Sequence, residues 1–223
     1  MQSRPKYSNV ITIVAGNAEV VFSVHKAIIC ERSSFFESAL KGPWREKETQ
    51  TVTLPEQEPA LFEVYLESIY TPNTKLLAYV RLHADELVND DEDNFNRRWK
   101  TDQKAMHALI KLYILGDFLG DAKFKDSVIR SIVEGINNDT LETKDAAPRL
   151  VFENTRSDSG LQKLFADIIA SVLLKETDEG AVDRLERKYS SAAVVATMKA
   201  MKAKRYGDVF PMFLDAEQYL ELG

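Results

Sequence analysis

The chain has 223 residues and a net charge of -6, with 44% hydrophobic and 29% charged residues. That length holds one sizeable domain or two small ones; seven prolines and nine glycines exclude a fibrous or low-complexity chain, and the acidic balance makes nucleic acid an unfavoured partner, because affinity for phosphates needs basic surface. No apolar run approaches the roughly 20 residues of a membrane helix, and a lone Cys30 with no basic-then-apolar opening segment favours a reducing cytoplasmic or nuclear setting.

Asn9 to Val14 is rich in β-branched residues, and Ala18 to Val24 alternates with Val20, Phe22 and Val24 on one face. The two read as a hairpin whose Gly16-Asn17 pair supplies residues that tolerate positive φ. From Val24 to Phe36 the spacing of Ile28, Ile29, Phe35, Phe36 and Leu40 predicts two short, coupled helices, with Ser33 placed to cap the second. Gln50 to Leu54 alternates as a third short strand closed by Pro55, so a small mixed sheet is expected.

Leu61, Phe62, Tyr65, Leu66, Ile69 and Tyr70 trace one face of a helix from Pro59 to Tyr70, with Pro59 at the first helical position. Thr71 to Asp102 is irregular: Leu76 to Leu82 fits a helix or a strand, and the six acids from Asp85 to Asp93 read as a solvated loop without the glycine-centred spacing of a calcium site. Met106, Leu109, Ile110, Tyr113, Ile114 and Phe118 mark a helix over Gln103 to Leu119, broken at Gly120-Asp121. A second helix from Phe124 to Ile136 completes an antiparallel helical hairpin.

Pro148 opens a short helix through Phe152. Leu161, Leu164, Phe165, Ile168, Ile169, Val172 and Leu173 then form an unbroken apolar stripe. Ala181 to Arg205 reads as a basic helix, and Phe210 to Leu222 as an aromatic and acidic tail. There is no internal repeat of the solenoid kind.

Catalysis has no candidate centre. His25, His83 and His107 lie far apart in sequence without a carboxylate arrangement that would orient a base. Cys30 falls on the apolar face of the first helix, where a thiol behaves as a small hydrophobe. No phosphate-cradling glycine loop and no zinc spacing occurs, so neither a cofactor nor a metal is expected.

The strand pair, the Val24-His25-Lys26 step, Ile28-Ile29, Arg32-Ser33, Phe35-Phe36, Val52-Thr53-Leu54-Pro55, the Phe62 to Tyr70 helix and the closing helical hairpin together resemble the BTB/POZ family, and more particularly fungal BTB-domain proteins of unassigned role. The resemblance covers roughly residues 8–138. It implies an α+β BTB/POZ fold, a small mixed sheet flanked by helices, with residues 139–223 as an α-helical C-terminal extension. It also implies a non-enzymatic module for protein contacts.

Family members that serve as substrate adaptors for cullin-based ubiquitin ligases carry an apolar residue, any residue, then Glu before the third strand. Trp44-Arg45-Glu46 matches that spacing and Leu40 lies just upstream, which makes Leu40, Trp44 and Glu46 the expected partner-binding residues and a cullin the implied partner. The same three residues also fit a Trp44 packed on its own domain. Two features depart from the family. Asn9 stands where an Asp usually precedes the first strand, which leaves Lys26 without its usual anion, and eight residues before Asn9 are few for an N-terminal segment exchanged between subunits. A self-associating homodimer or transcription-linked scaffold is the rival reading. A nucleic-acid contact through the basic helix is a second rival, against which stands a merely solvated lysine-rich face.

Overall fold

The computed structural model describes residues 9–71, 75–88, 101–141, 147–175, 191–204 and 214–221, the side chains of 172–175 and 202–204 excepted. Strands β1 (Val10–Ala15) and β2 (Val20–His25) pair antiparallel, and β3 (Thr51–Leu54) joins β1 in parallel, so that the sheet runs β2-β1-β3. Alternation sends Ile11, Ile13, Ala15, Val24, Val52 and Leu54 into the core and leaves Val10, Val21 and Thr53 outside. In the hairpin connection Gly16 takes a positive φ as expected, but the second such residue is Glu19 and not Asn17.

Helices α1 (Lys26–Arg32) and α2 (Ser34–Lys41) follow, separated by one extended residue, Ser33. Its hydroxyl accepts from Phe36 N at 3.2 Å, the cap that the sequence predicts. A single turn α3 (Arg45–Thr49) leads into β3, so the segment before the third strand is helical from Arg45 onward. Helix α4 (Pro59–Tyr70) begins on its proline, whose missing N–H would have had no intrahelical partner there.

Between α4 and the helical hairpin, residues 75–88 are more regular than their composition suggests. Helix α5 (Leu76–Leu82) settles the choice between helix and strand, and a short α6 (Ala84–Leu87) follows it. Leu76, Leu77, Val80, Ala84, Leu87 and Val88 are all buried, because their spacing by three and four gives α5 and α6 an apolar stripe against α7. The expected solvated loop is corrected at Asp85 and Glu86, which sit exposed on helix α6, with Asp85 bound to Lys104 Nζ at 2.8 Å. The remaining acids of that run lie outside the described residues.

Helix α7 (Thr101–Leu119) is buried on nearly all sides, packed by α2, α4, α5, α6, α8 and α9. Helix α8 (Ala122–Asn137) returns beside it after Gly120 and Asp121, and Asp121 caps it by accepting from Phe124 N at 2.9 Å. Helices α9 (Ala147–Asn154) and α10 (Gly160–Lys175) place Val151, Phe152, Leu161, Leu164, Phe165, Ile168 and Ile169 in the same continuous core as the sheet. Val172 and Leu173 of the expected stripe have side chains outside the described set. Of the basic stretch, Ser191–Lys204 forms α11, which buries Ala193, Val194 and Thr197; residues 181–190 and Arg205 lie outside the described residues. Residues 214–221 then cross α8 and α10, with one 3-10 turn at Ala216–Tyr219.

Candidate functional site

Three elements enclose a surface groove of about 570 Å³: the outer face of α2, the α3–β3 corner and the last turn of α7. On α2 the helical period puts Ser34, Phe35, Ser38 and Ala39 on the groove side, while Phe36 and Leu40 point into the core. Val52 and Thr53 close one end, and Asp117, Phe118 and Gly120 of the α7 terminus form the opposite wall. The Phe35 and Phe118 rings lie 5.0 Å apart between centroids, giving the lining an aromatic surface.

The expected partner-binding residues separate here. Trp44 stands at the groove with 60% of its surface exposed, and Glu46 lines the same groove from α3. Leu40 does not open onto the groove: it is 1% exposed, because the α2 period that turns Ser38 and Ala39 toward the groove turns its side chain inward. Gly42 fixes how Trp44 lies. A Cβ on Gly42 would come within 2.4 Å of indole Cδ1, so glycine lets the ring fold back over the α2 terminus.

Lys26 is not left without partners by Asn9. Its ammonium donates to Gln50 Oε1 at 3.1 Å and to the Leu40 carbonyl at 3.3 Å, and so ties the start of α1 to the end of α2 and to the entry of β3. The contact of Asn9 in this region is through its main chain, whose carbonyl accepts from Lys26 N at 2.8 Å. Cys30 is half-buried against the core; burial pushes its thiol up in pKa, with Lys26 and Lys41 pulling the other way.

The remaining titratable candidates take structural places. His25 lies against Tyr70, whose hydroxyl is 2.9 Å from Nδ1; His83 stacks on Tyr79 and meets Glu86 at 3.1 Å; His107 is buried within α7. Among the described residues no group of three His, Cys, Asp or Glu side chains is arranged to hold a metal ion.

Sequence reasoning missed the α7 contribution. Phe118 continues the three-four spacing of the α7 stripe and reads as a core residue, yet it is 46% exposed. The periodic signal is misleading there because α7 is buried almost all round, and its final turn keeps Gly116 and Leu119 buried while Phe118 faces the groove.

Residues 1–89 match the family model of the BTB/POZ domain. No curated protein matches the chain. The fold is that of a BTB domain, an α+β unit built on a small three-stranded mixed sheet, with further helices after it. Domains of this family mediate protein–protein contacts and often dimerise.

Proposed function

We propose that this chain is a non-enzymatic interaction module that acts as a substrate adaptor for a cullin-based ubiquitin ligase, with Trp44 and Glu46 at the docking groove. The observation that carries the reading is the exposure of Trp44. A large aromatic that is 60% exposed at the edge of a groove lined by Phe35 and Phe118 has the make-up of an interface anchor, and the carboxylate of Glu46 beside it supplies a charge that fixes orientation. In this reading residues 8–138 form the unit that meets the cullin, and either the extension, residues 139–223, or the acidic run from Asp85 to Asp93 meets a substrate. A reducing setting, the cytoplasm or nucleus, is the compartment that a lone Cys30 supports in this reading. Among the described residues no helix is long and apolar enough to cross a membrane.

Isothermal titration against a purified cullin N-terminal domain tests this. Wild type binds, and Trp44→Ala weakens binding by about 2 kcal/mol or more, as removal of an anchor does. No heat for wild type at high protein concentration overturns the adaptor reading.

A second reading, pairing between two copies, is favoured by one observation: Val10 and Val21, 50% and 63% exposed, lie on the outer face of the sheet. Sedimentation velocity decides it, since a clean monomer at tens of micromolar counts against pairing.

A further inference from the structure

Residues 214–221 are held in the manner of a bound peptide. Asn137 reads the main chain of Leu214 with both ends of its amide: Nδ2 donates to the Leu214 carbonyl and Oδ1 accepts from Leu214 N, each at 2.9 Å. Asp126 Oδ1 accepts from Glu221 N at 2.7 Å. Between these anchors Tyr219 is 3% exposed and donates its hydroxyl to Asp167 Oδ2 at 2.8 Å. The carboxylate of Glu221 accepts from Tyr113 OH and from Gly160 N at 3.1 Å, the latter the first residue of α10, and lies 3.5 Å from Lys125 Nζ.

The receiving face is shaped for this. A Cβ on Gly160 would come within 1.8 Å of the Tyr219 carbonyl, so only glycine lets the segment approach the start of α10. The contacts are main-chain bonds to Asn137 and Asp126, one buried aromatic, the Glu221 carboxylate, and an exposed ion pair between Glu217 and Arg130 of α8. None requires continuity with a helix or a sheet ladder, which is how grooves that capture short peptides work. All the groove groups named come from α7, α8 and α10, so the same bonds form whether the segment belongs to the same chain or to another.

We propose that the face made by α7, α8 and the start of α10 is a peptide-recognition groove, that residues 214–221 are its tethered ligand, and that its occupant in trans is the same acidic, tyrosine-bearing segment of a second copy of this chain. The reading is independent of the groove at Trp44. Tethering gives the segment an effective concentration on the order of millimolar, so the closed form excludes competitors until the strap itself is weakened.

The probe is a fluorescent peptide spanning residues 214–223, standing for the segment of the second copy, titrated into the full-length protein and read by polarisation. In a Tyr219→Ala/Glu221→Gln double variant, which weakens the strap and leaves the groove unchanged, the peptide binds at least tenfold more tightly than to wild type. Adding Asn137→Ala on the groove side reverses that gain. Equal binding to wild type and to the double variant, no binding to either, or a gain that survives Asn137→Ala overturns the proposal. If the double variant does not fold, hydrogen exchange on wild type decides. The amides of Leu214 and Glu221 exchange by an opening that leaves the α7 and α8 amides protected; exchange of all of them only together overturns it.

Discussion

Ser33 and Leu119 meet across 86 positions of sequence: Ser33 Oγ donates to the Leu119 carbonyl at 2.6 Å while accepting from Phe36 N at 3.2 Å. One hydroxyl thus caps the start of α2 and satisfies a carbonyl left open at the end of α7. It couples the helix pair beside the sheet to the corner of the helical hairpin, and it does so at the rear of the Trp44 groove.

Ser33→Ala removes both bonds in a site with no solvent access. The lost cap and the buried carbonyl together cost about 2–3 kcal/mol of stability. Ser34→Ala, at an exposed neighbour whose bond to Gly120 is 3.5 Å long, changes stability by less than about 0.5 kcal/mol. Urea denaturation of the two variants measures the contrast.

Arg32 and Asp121 form the charged half of the same junction. The carboxylate, 1% exposed, lies 3.1 Å from Arg32 Nε, caps α8 and accepts from Tyr65 OH at 3.3 Å. Asp121→Ala strips all three and destabilises by about 3 kcal/mol, the low end for a broken buried pair because Arg32 is 20% exposed. Asp121→Asn keeps an oxygen for the cap and costs less. Chemical denaturation midpoints with unchanged m-values are the expected signature.

Alkaline pH is expected to destabilise the protein through its buried tyrosines. Burial, and then the charge of Asp121, pushes the Tyr65 hydroxyl up in pKa; burial followed by the Glu221 and Asp167 carboxylates does the same at Tyr113 and Tyr219. A raised native pKa means that the folded state keeps its proton while the unfolded chain loses it above about pH 10. Stability is therefore full below that pH and falls as pH rises, with Tyr65 contributing a slope of about 1.4 kcal/mol per pH unit. Tyr65→Phe flattens the loss by that amount in urea titrations run at successive alkaline pH values; an unchanged slope would contradict it.

At the groove, stability and binding separate. Trp44→Ala leaves the melting temperature within about 2 °C, since a side chain that is 60% exposed adds little to the fold. Gly42→Ala keeps the indole but pushes it off the α2 terminus. It alters tryptophan fluorescence without a comparable loss of stability.

Gly160→Ala drives a methyl into the Tyr219 carbonyl and against Ile129. The outcome is displacement of residues 214–221, seen as faster amide exchange in that segment. The acidic limb of the stability curve changes with it. Burial pushes the Glu221 carboxyl up, but bonds from Tyr113, Gly160 and Lys125 outweigh that and hold it below the usual carboxylate range. Its contribution is thus present above the ordinary carboxylate pKa and is lost as pH falls through the lower native value, and Gly160→Ala removes it.

The sequence by itself determined the local elements: both hairpin strands, the Ser33 break between α1 and α2, the start of α4 at Pro59, and the α7–α8 hairpin broken at Gly120-Asp121. Each rests on signals confined to a few neighbouring residues, such as alternation, a capping hydroxyl or a proline at a helix start. The tertiary structure alone decided which side of an element meets solvent once an element is surrounded. Leu40 and Phe118 both continue apolar stripes, yet Leu40 is buried and Phe118 forms the groove wall, because exposure depends on where neighbouring helices end. It also decided pairings that leave no local trace: Lys26 with Gln50, Ser33 with Leu119, and Tyr113 with Glu221. A hydrogen bond across such separations needs only two compatible groups brought together by the packing of everything between them, and no spacing in the chain records that meeting.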